Sequence, residues 1–420
     1  MIVHTNKGIF MNNKLTKLEK QWVLYDVGNS AFTLLVATIV PIYFNSISSS
    51  AGLAEVDYLA YWGYSASIST LIVAFLGPVL GTMADNKGFK KIIFTVAMLI
   101  GAVGLSVLWV PKSWQVFLGL FIFAKVGYSC SLIFYDSMLS DVTTPERMDV
   151  VSSNGYAWGY IGSCIPFLVS LVIVLMNESL GISMSTAMML AFVINALWWI
   201  GCTLPLLKNY KQIHYATERP KNVVATTFKT LGGTFKKIMS QKKILLFLIA
   251  FFFYIDGVYT IIDMATAYGS ALGLDTTGLL LALLVTQIVA FPSALVIAKL
   301  SKTMEASKLI KISILAYTAI ALFAVQLDKQ WEFWLLAVCV GLFQGGIQAL
   351  SRSYFAQIIP ADNSGEYFGI YDICGKGASF MGTALVSFTA QMLGNANGAI
   401  AIIAVMFVIG YFFFNKSLKA

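Results

Sequence analysis

The sequence predicts an all-α integral membrane protein of twelve transmembrane helices in two six-helix halves. Three observations carry this. Of 420 residues, 58% are hydrophobic and only 11% charged, with a mean hydropathy of +0.78, against roughly 45–50% apolar and 25% charged in a soluble chain. Apolar stretches recur at about the 20 residues that a bilayer core of roughly 30 Å demands of a helix. One long polar stretch, 208–243, divides them six and six.

The first six segments run Gln21–Asn45, Tyr58–Ala84, Lys91–Val110, Trp114–Ser137, Ser153–Met176 and Ala187–Leu207. The second six run Ile244–Tyr268, Thr277–Lys299, Leu309–Leu327, Glu332–Ala356, Tyr367–Leu393 and Gly398–Asn415. The domains are then an N-terminal segment (1–20), a bundle (21–207), a basic linker (208–243), a second bundle (244–415) and a tail (416–420). The linker holds nine Lys/Arg and one acid, Glu218. Sorting loops alternately puts Lys90, Lys91, Arg147, the linker, Lys299–Lys311, Lys416 and Lys419 on one side, while the other has only Lys112 and Lys329 against Glu55, Asp57, Glu178, Asp275, Asp328 and Glu332. The positive-inside rule assigns the basic side, with both termini, to the cytoplasm, and the protein to the cell membrane.

Composition also excludes functions. The net charge of +8 follows the membrane sides instead of forming a basic module, so no nucleic-acid partner is expected. The five cysteines all lie in apolar segments without ligand spacing, and both histidines, His4 and His214, lie in polar ones, so neither disulfide, metal nor cofactor is expected. No HExxH, GxSxG or nucleotide-binding loop is present, which argues against an enzyme or an ATP-driven pump. The first twenty residues lack a signal-peptide h-region, and Met11 is a second candidate start. Trp109, Trp114, Trp331 and Trp334 near one interface and Trp22 near the other read as membrane belts. The pairs Gly155/Gly159 and Gly365/Gly369 read as close helix packing.

An ionised side chain at the bilayer centre costs about 2.5–3.5 kcal/mol on insertion scales, so those inside segments need an interior role. The acids there are Asp26, Asp136, Asp256, Asp263 and Asp372; the bases are Lys125, Arg352 and Lys376. Lys125 and Asp256 have no partner at helical spacing. As a central cation and anion on opposite halves, they suit the two ends of a zwitterion. Asp256 and Asp263, seven residues apart, share a face with Tyr259 and Thr260 between them. Gln344, Gln348 and Arg352 step by four into one polar stripe. Asp372 and Lys376 form an i,i+4 pair. Asp26 lies near a segment end, where a gate and a solvated cap are equally open.

Between segments two and three runs Gly81-Thr-Met-Ala-Asp85-Asn-Lys87-Gly88-Phe-Lys90-Lys91. Its charges place it at a membrane face. A carboxylate there can accept from the free N–H groups of another helix's first turn. The start of segment eleven, where Asn363 and Glu366 have capping-box spacing, is the expected partner. The corresponding stretch of the second half, Ala298–Lys308, has Lys302 in place of Asp85 and no glycine.

This loop resembles the signature of major facilitator transporters. Trp22-Val-Leu-Tyr25-Asp26-Val-Gly-Asn29-Ser30, Phe134-Tyr135-Asp136 and Gly155-Tyr-Ala-Trp158-Gly159-Tyr160-Ile-Gly162 narrow the resemblance in the first half. Gln344-Gly-Gly-Ile-Gln348-Ala-Leu-Ser351-Arg352-Ser353 and Phe368-Gly369-Ile-Tyr371-Asp372-Ile-Cys-Gly375-Lys376 do so in the second. Together they resemble the autophagy-related vacuolar amino-acid effluxers and their bacterial relatives. Gly28 and Asp136 depart from that pattern, where alanine and asparagine are usual.

The resemblance implies the major facilitator fold, with segments 1, 4, 7 and 10 lining a cavity. It implies secondary transport by alternating access, with export of amino acids or similar small zwitterions. The expected partners are a small-molecule substrate, a coupling proton or other ion, and the bilayer, around a monomer. The expected substrate and ion site comprises Asp26, Asn29, Lys125, Tyr128, Asp256, Tyr259, Asp263, Gln344, Gln348 and Lys376. The expected gate comprises Gly81, Asp85, Gly88, Lys90, Lys91, Asp136 and Arg352. Export of drug-like or lipid-like amphiphiles is the alternative, and a non-transporting sensor or scaffold is the alternative of another class.

Overall fold

The computed structural model describes residues 14–53, 55–216, 233–234, 236–271, 274–393 and 396–420. The start-site reading, most of the linker and the side chain of Asp263 lie outside the described residues. Twelve long helices follow one another: α1 (Lys17–Ser50), α2 (Glu55–Ala84), α3 (Phe89–Ser106), α4 (Trp114–Ser137), α5 (Met148–Leu175), α6 (Met184–Asn209), α7 (Lys242–Ala271), α8 (Thr276–Leu300), α9 (Ala306–Ala324), α10 (Gln330–Ile358), α11 (Ser364–Leu393) and α12 (Ala396–Ser417).

Among the described residues, eleven helices are long and apolar enough to cross a membrane. The remaining one, α11, carries Glu366, Asp372 and Lys376 along its first half. Helix starts follow their capping chemistry. Thr16 and Glu19 form a reciprocal capping box on α1, and Ser113, Ser183 and Asp275 accept from the first turns of α4, α6 and α8. Several helices overrun their apolar segments, α1 by four residues at its start and five at its end, because caps and not hydropathy stop them.

Within the first half, α1 packs on α5 and α6, and α3 on α4; within the second, α12 packs on α7 and α8 on α10. The halves meet where α2 lies on α11 and where α5 lies on α8 and α10. Glycine makes these approaches possible. A Cβ at Gly369 would stand 2.8 Å from the Pro78 backbone, one at Gly365 2.7 Å from the Gly81 carbonyl, and one at Gly81 would fall onto the Gly365 carbonyl. Gly77 and Gly81 thus face Gly365 and Gly369 across the boundary, backbone against backbone. Gly155 and Gly159 of α5 instead make room for side chains of α1: a Cβ there would stand 2.6 Å from the Asp26 carboxylate and 2.8 Å from the Ser30 hydroxyl.

Placing valine at Gly365 should force α2 and α11 apart. Overpacking of this kind costs about 1–3 kcal/mol, so the population with these helices in contact should fall roughly 5- to 150-fold. Distances between spin labels on the two halves would register this, and an unchanged distribution would refute the packing argument.

Candidate functional site

The α2–α3 loop begins from its turn. Gly88 has φ +83°, a left-handed conformation that favours glycine. The Asp85 N–H bonds back to the Gly81 carbonyl, leaving the carboxylate to point across the boundary. Asp85 Oδ1 accepts from Gly365 N at 2.8 Å and Oδ2 from Glu366 N at 2.9 Å. These are first-turn N–H groups of α11, which have no partner within their own helix. The expected contact is therefore present, but the Asn363–Glu366 capping box is not: Asp85 takes the N–H groups, and among the described residues neither Glu366 oxygen accepts a hydrogen bond.

Lys90 is fully buried behind this contact. Its ammonium donates to Ser364 Oγ at 2.8 Å and stands 3.7 Å from Asp85 and 3.8 Å from Asp141. Burial pushes the Asp85 carboxyl up to about 7, against the downward pull of Lys90 and the two N–H donors. Lys91 is half-exposed and joins no contact to the second half among the described residues.

A second cluster is built around Arg352 of α10. Its Nη1 lies 3.0 Å from Asp136, its Nη2 lies 3.4 Å from Asp26, and its Nε donates to Ser152 Oγ at 2.9 Å. The guanidinium is held between the Trp22 and Tyr156 rings, 4.7 and 4.4 Å from their centroids. Trp22 is therefore no belt residue: it is fully buried, stacks on Tyr135 and donates Nε1–H to the Tyr135 carbonyl. Asp26 and Asn29, expected at the substrate site, belong here as well, with Asn29 Nδ2 donating to Asp26 Oδ1 at 3.2 Å. Nearby, Asp149 of α5 accepts from Ser353 and Gln357 of α10 at 2.6 and 2.9 Å, and Ser152 donates to the Ala349 carbonyl.

A strap covers the loop. After α6 the chain runs extended, and Ile213 N and His214 N both donate to Asp141 Oδ1, with the His214 ring nitrogen 3.0 Å from the same oxygen. The Tyr210 hydroxyl donates to Asp141 Oδ2. Gln212 accepts from Gly88 N and donates to the Ala84 carbonyl, and Ala216 N donates to the Asp85 carbonyl.

The remaining expected residues lie deeper. Lys376 pairs with Asp372 at 2.6 Å and reaches the Ser129 carbonyl of α4 at 3.4 Å. Tyr128 shares a 2.6 Å hydrogen bond with Thr33 and stacks on Phe32. Tyr259 is half-buried, and Gln344 and Gln348 are buried, with Gln344 Oε1 accepting no hydrogen bond. Lys125 is half-exposed, 5.8 Å from the Phe121 ring on its own helix. Asp256 is fully buried between α7 and α11, where Oδ1 accepts from Gly382 N at 3.1 Å and Thr260 Oγ1 at 3.3 Å. Its Oδ2 has no donor. No contact between Asp256 and Lys125 is found among the described residues. Sequence reasoning missed Asp141, Asp149, Ser152 and Tyr156; the first three lie at segment ends, where polar residues look solvated.

Two six-helix bundles locked to each other across one face define the class: a transporter of the major facilitator superfamily. The chain belongs to the vacuole effluxer Atg22-like family, whose model matches residues 16–417. It is 41% identical to the uncharacterized MFS-type transporter YxiO of Bacillus subtilis, covering 95% of this chain and 94% of that one. It is 22% identical to autophagy-related protein 22 of Coccidioides immitis, over 96% of this chain and 79% of that one. Among solved structures it resembles the major facilitator transporter FucP in its outward conformation, with TM-score 0.74, 14% identity, and coverage of 96% of this chain and 97% of that one.

Arg352→Ala should leave two buried carboxylates uncompensated and destabilise the closed form by about 3–5 kcal/mol. Adding Asp136→Asn to it should recover part of that loss in thermal unfolding; a double variant no more stable than the single would refute the pairing. Because the closed-form Asp85 value of about 7 stands above the ordinary 3.8, its protonation favours closure fully below about pH 4, and the gain is lost as pH rises to 7. Asp85→Asn should remove that share of the pH dependence, as read by label distances.

Proposed function

We propose that this protein is a secondary active transporter working by alternating access, which exports amino acids or similar small zwitterions with proton coupling. The observation that carries the reading is the distribution of contacts between the halves. Among the described residues, the hydrogen bonds and ion pairs joining them, from Asp85 and Lys90 through Asp26, Asp136 and Asp149 to Ser129, gather towards the face bearing the α2–α3 loop. A molecule zipped on one side is one end state of such a cycle. The positive-inside rule makes the zipped side cytoplasmic, with both termini there, so this state faces outward.

Asp256 is the carboxyl best suited to carry the coupling proton. It is buried, it has one oxygen without a donor, and no described cation stands against it. A group in that setting is held neutral, since an uncompensated buried charge is disfavoured. Lys125, half-exposed on α4, is the group to receive a substrate carboxylate. The protein acts as a monomer, since each chain supplies both halves.

A second reading, export of apolar amphiphiles, draws on one feature. A cavity of about 90 Å³ in the second half is walled by Ile261, Met264, Leu283, Ile320 and Phe333, with few polar atoms. Uptake and efflux in proteoliposomes, across amino acids and amphiphiles and with an imposed proton gradient, decide between the two. Asp256→Asn should abolish gradient-driven accumulation while permitting exchange; accumulation retained at the native rate would sink the proton assignment.

A further inference from the structure

The closed face holds more buried carboxylates than cations. Asp26, Asp85, Asp136 and Asp141 have side chains 8, 2, 19 and 0% exposed, and Arg352 and Lys90 are the two buried cations that face them. Each of these four carboxylates has donors: Arg352 and Asn29 for Asp26, Arg352 for Asp136, backbone N–H groups for Asp85, and the strap for Asp141. Glu366, the third residue of α11, is different. It is fully buried, and among the described residues neither of its oxygens has a hydrogen-bond donor.

The groups facing Glu366 come from three elements. The α2 helix brings the Thr82 hydroxyl, and the linker segment before α7 brings the Thr234 hydroxyl and the exposed Lys237 ammonium; each pulls towards the anion, burial outweighs them, and none completes a hydrogen bond to either oxygen. The α2–α3 loop brings the Asp85 carboxylate onto the Glu366 N–H, a second acid beside the first, with Lys90 committed to the far side of it. Tyr367 follows on α11 itself. A carboxylate with no donor and an acid for a neighbour is not stable as an anion in such a place. When α2 and α11 separate, the same side chain meets water and ionises in the ordinary range, near 4.3.

We propose that Glu366 is a proton-binding site of this face, loaded when the two halves close over it and emptied when they part. The site is distinct from Asp256, which lies on α7 deep in the second half; the proposal rests on the alternating-access reading. Closing then takes up a proton from the side on which the face lies, and opening returns it there. A carboxyl that must be neutral for closure shifts the closed-to-open ratio by up to about tenfold per pH unit between its free and buried titrations, in favour of closure as pH falls.

The test uses the full chain in nanodiscs. Its five cysteines are replaced by alanine, and spin labels are placed at Glu146→Cys and Glu305→Cys, two exposed positions on opposite halves. From pH 5 to 9 the short-distance population should decline. Glu366→Gln should keep that population high and flatten the slope by close to one proton, about tenfold per pH unit at its steepest. Combining it with Asp85→Asn should flatten the response further. Glu366→Asp, which still ionises, should retain a titration and shows that the position tolerates change.

Three results overturn the proposal: no pH response in the unsubstituted labelled chain, a Glu366→Gln slope equal to the unsubstituted one, or a Lys237→Met slope as flat as that of Glu366→Gln. The last would show Glu366 to be an ion-paired anion. Proteoliposome transport by the same variants separates this site from the function reading. An unchanged slope alongside intact gradient-driven accumulation sinks the Glu366 site alone.

Discussion

The structure depends on the neutralisation of charges that neither lipid nor water can reach. Arg352 and Lys90 are each held against two carboxylates at the boundary between the halves. Arg352 belongs to the second half and finds Asp26 and Asp136 on the first; Lys90 belongs to the first and reaches Ser364 on the second. Parting the halves would take both carboxylates from Arg352, take only the Ser364 hydroxyl from Lys90, and expose the α11 N–H groups. In this structure these contacts are all made. The glycine contacts reinforce this, since backbones that touch at Gly81 and Gly365 leave no intermediate spacing for solvent.

The two halves do not contribute equally. In the first, the loop aspartate caps a helix of the second. In the second, Lys302 occupies the corresponding place, and the start of α5 relies on Asp149, an acid of its own first turn, to reach Ser353 and Gln357. One seam is thus built on backbone N–H groups donating to Asp85 beside buried Lys90, and the other on side-chain donors to Asp149 beside Arg352.

Much of this was legible in the sequence, and the reasons are specific. Twelve segments follow from hydropathy because nothing except helix satisfies a backbone in lipid. The Asp85 contact follows because glycine spacing, charge and a helix start coincide. Arg352 and Asp136 lie together as their shared position suggested, whereas Asn29 was expected only at the substrate site and Asp26 was open between a gate and a solvated cap; which of their neighbours they meet depends on the rotation of α1 against α5. Trp22 misled because an aromatic near a segment end looks interfacial until an arginine from the other half is found on its face. Asp141 was invisible for a related reason. It lies just after the α4 apolar run, and its partners come from a linker that composition marks only as basic.

That linker has two parts. The stretch from Tyr210 to Ala216 is hydrogen-bonded to Asp141 and to the α2–α3 loop, so it belongs to the first bundle as much as any helix does. What joins the bundles covalently is then counted from residue 217, not from the end of α6. A chain divided after Ala216 and expressed as two polypeptides keeps the strap with its loop; one divided before Tyr210 leaves the Asp141 carboxylate without its cover. The position of an evolutionary fusion or an engineered split is therefore restricted by a seven-residue piece of connecting chain, and not only by the twelve helices around it.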